Sequence, residues 1–169
     1  MKKLILTGFT LIILLIVSCE TKNRDLINDQ DKEKIKSEIQ TVFEQMIQSS
    51  EAGNFEFRPF VNSPGFISIV NGKISNYKEF IKSNTGFFDL VDNQIFDETN
   101  MLYTFIDKET VILTYGATVI GNYKDGHQGK ADPLAWTVVF RKIDDSWKVI
   151  YSHESFKIVP IVEDSTKSE

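Results

Sequence analysis

The sequence predicts an α+β domain in which helices come first and long antiparallel strands follow. Three observations carry that expectation. Apolar residues recur at three- and four-residue spacing from Ile35 to Ile47, which marks one face of a helix. From Asn93 onward the chain turns to β-branched and aromatic runs separated by short turn signals, the pattern of hairpins. Hydrophobic residues make up 41% of 169, enough for one real core. Helices followed by strands puts the helices on one side of a curved sheet.

The chain opens on Met1-Lys2-Lys3, a short cationic start. Leu4 to Val17 is an apolar run broken only by Thr7, Gly8 and Thr10. It is shorter than the roughly 20 residues of a comfortable membrane span, so residues 1–18 read as an export signal peptide. Ile16-Val17-Ser18-Cys19 resembles the bacterial lipobox. That resemblance implies a lipoprotein, cleaved before Cys19 and acylated there, anchored to a membrane of the cell envelope. Cys19 is the only Cys, so lipidation leaves no thiol for other chemistry. Residues 19–32 are polar and mixed in charge, a tether expected to contribute nothing to folding. The domain is expected over 33–160, and the polar residues 161–169 as a disordered tail.

Asp31 to Ala52 is the clearest helix. Ile35, Ile39, Val42, Phe43, Met46 and Ile47 form its stripe, and Gly53-Asn54 supplies the stop. Phe55 to Pro64 is aromatic but holds two prolines, so it is a loop or short helical turns. Its Phe55, Phe57 and Phe60, with Phe66, are expected to plug one end of the domain. Phe66 to Val70 is a short strand ending at the turn pair Asn71-Gly72. Ser75 or Asn76 can cap a second helix from Tyr77 to about Ser83, with Phe80 and Ile81 inward. Strands follow over Asn93–Ile106, Thr110–Gly121, Leu134–Ile143 and Trp147–Phe156. Gly116 inside the second suggests a bulge or a close backbone approach.

Charge and ligand count exclude some functions. The formal charge is −5, and loss of Lys2 and Lys3 with the leader makes it −7. A nucleic-acid partner needs a basic surface, so none is expected. One Cys and two His leave no His/Cys metal site, and no cofactor is called for. His127, in a Gly-rich connection, and the acids Asp89, Asp92, Asp97 and Glu98 read as solvated surface.

The last hairpin can be registered from its turn. With Asp144 and Asp145 at the tip, Phe140 lies opposite Val149, Val138 opposite Tyr151 and Trp136 opposite His153. Unbroken alternation then puts Trp147, Val149, Tyr151, His153 and Ser155 on the buried face with Trp136, Val138 and Phe140. Ser152 and Glu154 fall on the other face.

The order of elements resembles a known family. A long helix ends in Glu51-Ala52-Gly53-Asn54. A strand, Asn71-Gly72 and a short helix with Tyr77-Lys78-Glu79-Phe80-Ile81 follow, and the chain closes with Phe140 to Ser155, including Trp147-Lys148-Val149-Ile150. This is similar to the SnoaL-like and ketosteroid-isomerase-like branch of the nuclear transport factor 2-like superfamily, over Glu33 to Phe156. The resemblance implies a cone-shaped fold, with a strongly curved, mostly antiparallel sheet wrapped around the N-terminal helices and a pocket at the open end. The family's enzymes hold a carboxylate or His with a phenol or second acid in an apolar pocket. The matching terminal-strand position holds His153 in place of the Asp that several members use.

Three functions follow as expectations. The first is a lipid-anchored domain that binds a small, largely apolar molecule in a pocket formed by Tyr115, Trp136, Val138, Tyr151, His153 and Ser155. The second is an enzyme of isomerase, cyclase or dehydratase type on the same pocket, with His153 as general acid/base and Tyr151 in support. The third is a non-enzymatic module that makes a homodimer or partner contact through its sheet face. The lipobox has a direct test. Metabolic labelling with an alkyne fatty acid should tag the wild type and leave Cys19→Ser unlabelled, and equal labelling of both would remove the anchor.

Overall fold

The computed structural model describes residues 27–62 and 64–161. The leader 1–18, Cys19, most of the tether and the tail from 162 lie outside the described residues. Two helices, α1 (Asp29–Glu51) and α2 (Tyr77–Phe88), accompany six strands: β1 (Ile67–Val70), β2 (Lys73–Asn76), β3 (Val91–Asp107), β4 (Thr110–Tyr123), β5 (Gln128–Ile143) and β6 (Ser146–Val159). The sheet order is β2-β1-β6-β5-β4-β3. Every pairing is antiparallel except that of β1 with β6. The expected α+β cone is therefore the fold.

α1 starts earlier than its apolar stripe suggested. Asn28 caps it, accepting from the Asp31 N–H at 2.7 Å. Asp29 and Asp31 in the first turn suit the positive end of the helix dipole. Asp31 also pairs with Lys108 at 3.0 Å, and Ile27 packs on the core. Residues 27–32 thus belong to the domain rather than to a tether, because a helix with a buried face recruits the polar turn that caps it. At the other end Gly53 has φ +68°, and a Cβ there would lie 2.1 Å from the Asp92 carbonyl oxygen. Only glycine fits that stop.

α2 is closed at its start by a reciprocal capping box. Asn76 Oδ1 accepts from the Glu79 N–H, and Glu79 Oε2 accepts from the Asn76 N–H. It runs on past Ser83 to Phe88, because Phe88 finds a buried place against Phe55. Gly116 faces the irregularity between Glu98 and Asn100, where its missing Cβ would lie 2.9 Å from Thr99 Oγ1.

The core lies between α1 and the inner sheet face. Ile35, Ile39, Phe43 and Met46 meet Val111, Leu113, Val138, Phe140, Trp147 and Val149. The first half of α1 is tied to the last hairpin through Glu38. Glu38 Oε2 accepts from Trp147 Nε1 at 2.7 Å and lies 3.6 Å from the Lys142 ammonium, which also sits over the Trp147 ring. This end of the cone is packed solid. Trp147→Ala should therefore destabilise the domain by about 3–5 kcal/mol, the usual cost of truncating a large core aromatic. Chemical denaturation measures it, and a loss below about 1 kcal/mol would mean that the indole is not part of the core.

Candidate functional site

The β5–β6 turn forms as expected. Asp144 and Asp145 have φ of 49° and 59°, Ile143 pairs with Ser146 and Phe140 with Val149. The alternation then breaks. Val139 pairs with Tyr151, Val138 with Ser152, Thr137 with His153 and Trp136 with Glu154. Ile150 is the extra residue of a β-bulge, and from there every β6 side chain changes face. The bulge falls where β6 gains neighbours on its other edge. The Asn62 N–H donates to the Val149 carbonyl, and the parallel partner β1 joins at Tyr151.

This moves the expected site residues. His153 and Ser155 are exposed on the outer sheet face, and Tyr151 is half-buried there. None of the three lines the cavity. Val138 faces inward but is sealed in the core. Tyr115 is buried too, yet opens into a different recess beside α1. Trp136 alone of the expected set lines the main cavity. Glu154, assigned to the outside by unbroken alternation, points in. The signal for it lay in Val149-Ile150-Tyr151, three successive apolar residues that a one-sided strand cannot all bury without a bulge.

The cavity has a volume of about 390 Å³ and sits at the C-terminal end of α1, under α2. Phe57, Phe80, Phe88, Phe96, Leu134 and Phe156 give it apolar walls. Phe57 stacks on Trp136 at 6.3 Å, so this part of the aromatic loop lines the cavity rather than plugging an end. On the sheet side, Ser152 accepts from Trp136 Nε1 at 2.8 Å, which fixes the indole plane. Ser68 of β1 pairs with Ser152 and is wholly buried, with no partner for its Oγ among the described residues. Lys73 stands exposed at the rim.

Glu154 is two residues beyond Ser152 on the same face. Its backbone is clamped by Asn71: the Asn71 N–H donates to the Glu154 carbonyl, and Asn71 Oδ1 accepts from the Phe156 N–H at 2.9 Å. Its carboxyl group has no hydrogen bond or ion pair among the described residues. Burial alone pushes its pKa up to about 7. An acid titrating there can take or give a proton near neutral pH. Among the described residues no group of three or more His, Cys, Asp or Glu side chains could hold a metal ion.

A curved sheet wrapped around helices, with a largely apolar cavity that holds a carboxyl group, fits the nuclear transport factor 2-like superfamily, and comparison with known proteins gives the family within it. Residues 39–159 match the SnoaL-like domain. The chain belongs to the SnoaL-like domain family. Solved structures agree on the fold. A protein of Novosphingobium aromaticivorans assigned as a scytalone dehydratase has a TM-score of 0.68 at 10% identity, covering 83% of this chain and 99% of its own. Hexachlorocyclohexane dehydrochlorinase LinA-type3 of Novosphingobium barchaimii has a TM-score of 0.64 at 13% identity, covering 79% and 94%. A protein of Streptomyces avermitilis assigned as a dehydratase of this superfamily has a TM-score of 0.63 at 15% identity, covering 74% and 97%. No curated protein matches the sequence.

The raised Glu154 pKa carries a stability signature. The folded state holds the proton up to about pH 7, while the unfolded chain releases it near its ordinary value of 4.5. Between those values the native state binds more protons, so stability falls as pH rises through the window. The full loss above it is on the order of 3 kcal/mol. Glu154→Gln should remove this slope and be the more stable protein at pH 8. Denaturant titrations at pH 5 and pH 8 test it, and equal slopes in both proteins would place the carboxyl group in water.

Proposed function

We propose that this domain is an acid/base enzyme acting on a small, largely apolar molecule, with Glu154 as the proton-transferring group. The observation that carries the reading is an unpaired carboxyl group among aromatic walls, on a backbone held by Asn71 and titrating near pH 7. Above that pH the carboxylate can remove a proton from a carbon of the bound molecule. The apolar walls keep bulk water from levelling its basicity. The protonated form can return the proton to another atom of the same molecule or to a departing group. Isomerisation and elimination both use that cycle. The dehydrochlorinase and dehydratases that share the fold are named for eliminations. Export and acylation at Cys19 would place this chemistry on a membrane of the cell envelope.

A second reading is a binding protein without turnover. It is favoured by the lack of a second titratable partner beside Glu154 among the described residues, since burial is the only cause of its shift. In that case the protonated acid donates a hydrogen bond to a ligand oxygen.

Small molecules that co-purify with the domain can be identified by mass spectrometry and returned to it in deuterated water. Proton abstraction predicts solvent deuterium in the recovered ligand with wild type, none with Glu154→Gln, and wild-type incorporation with His153→Gln. Ligand that binds without exchange would support the binding reading. Exchange lost in His153→Gln but kept in Glu154→Gln would restore the imidazole as the acid/base.

A further inference from the structure

A second recess, of about 290 Å³, lies between α1 and β3 and shares no lining residue with the cavity of Glu154. Phe43 is the partition, with its ring 5.0 Å from Tyr115 on the recess side and 5.3 Å from Trp136 on the cavity side. Glu44 and Glu51 stand on one rim and Glu98 on the other. Glu44 Oε1 accepts from Gln40 Nε2 at 2.7 Å, and no salt bridge among the described residues engages any of the three.

Acidic side chains on a surface do not make a site by themselves. The second observation is Tyr115. It is 98% buried, at 2% exposure, and lines the recess, yet its hydroxyl has no hydrogen-bond partner among the described residues. A phenol so deeply set ordinarily sends its hydroxyl to a protein group. Here that oxygen opens to solvent through the recess, in the field of the neighbouring carboxylates. Burial first, then Glu98, Glu51 and Asp97, push its pKa up to about 12, so it stays a neutral phenol that can accept an N–H.

We infer that this recess binds an extended organic polycation of the linear polyamine class. Glu44 and Glu51 are two helical turns apart, about 10 Å along α1, which suits the two terminal ammonium groups of an extended triamine. Glu98 faces them from β3. The methylene segments would lie on Met101, Ile47 and the Phe43 ring, and one inner N–H would reach the Tyr115 oxygen. A metal ion is a poorer fit, because the described acids form no group that could ligate one.

Spermidine is the probe, titrated calorimetrically into the full chain at low salt, with magnesium at matched ionic strength as the control. Saturable one-to-one binding is expected, weakened by added salt. Glu51→Gln combined with Glu98→Gln should lose about tenfold or more in affinity, since two charge-assisted hydrogen bonds go. Tyr115→Phe should lose about threefold to tenfold, the value of one hydrogen bond. Glu154→Gln should bind as wild type. Glu51 and Glu98 are exposed, so thermal unfolding of the double variant should match wild type. Absence of saturable binding, equal competition by magnesium, or full affinity in both the double variant and Tyr115→Phe would overturn the inference. Failure of the Glu154 reading would leave it untouched, because the two sites share no residue.

Discussion

The cavity depends on one residue of β6 that has no cross-strand partner. A strand presents alternate side chains to alternate faces, so a single inserted residue exchanges the two sets from that point on. Before Ile150 the inward set is Trp147 and Val149, which fill the core. After it the inward set is Ser152, Glu154 and Phe156, which line the cavity. Without the insertion Tyr151 and His153 would point in, and the cavity would lose both its acid and the oxygen that holds the Trp136 indole. The same bend in β6 meets the short parallel strand β1, whose turn residue Asn71 then grips the backbone at the Glu154 carbonyl and the Phe156 N–H.

A carboxyl group without a partner is a poor choice for stability. Transfer from water disfavours the ion, and nothing inside the cone repays it. The fold tolerates this because its stability is concentrated elsewhere. The closed end brings Trp147, Lys142 and Glu38 together over a dense aliphatic core, while the open end carries the cavity and the acid. Such a division lets chemistry be tuned at one end without loosening the other. It also explains why the two tryptophans differ: one indole N–H ties helix to hairpin, the other is spent on a serine that shapes the cavity wall.

Phe43 separates two unlike environments. On one side are aromatic walls and a carboxyl group whose ionisation is suppressed. On the other are exposed carboxylates around a phenol that stays protonated. Both follow from how α1 crosses the sheet, with its apolar stripe down the middle and its acidic residues at the edge that meets β3.

The sequence by itself determined the class and order of the elements. The α1 stripe from Ile35 to Met46, the turns at Asn71-Gly72 and Asp144-Asp145, and the glycine stop at Gly53 are local, and their chemistry is read from neighbours in the chain. The resemblance to the SnoaL-like family rested on that order. The start of α1 was misplaced by two residues, because Asn28 and Asp31 are polar and only a partner such as Lys108, far along the chain, ties them to the fold. The site itself was decided by tertiary structure. Trp136 was placed in the cavity by alternation within one unbroken strand, whereas His153, Tyr151 and Ser155 were carried past a bulge that alternation cannot register. Tyr115 sits on the inner face as its strand period requires, but which of two cavities it serves depends on where Phe43 of α1 comes to rest. Period-two reasoning assigns a face only up to the first irregularity. A bulge is set by the strands that pair on both edges, and one of them here, β1, lies far away in sequence, with Ile67 paired to Tyr151.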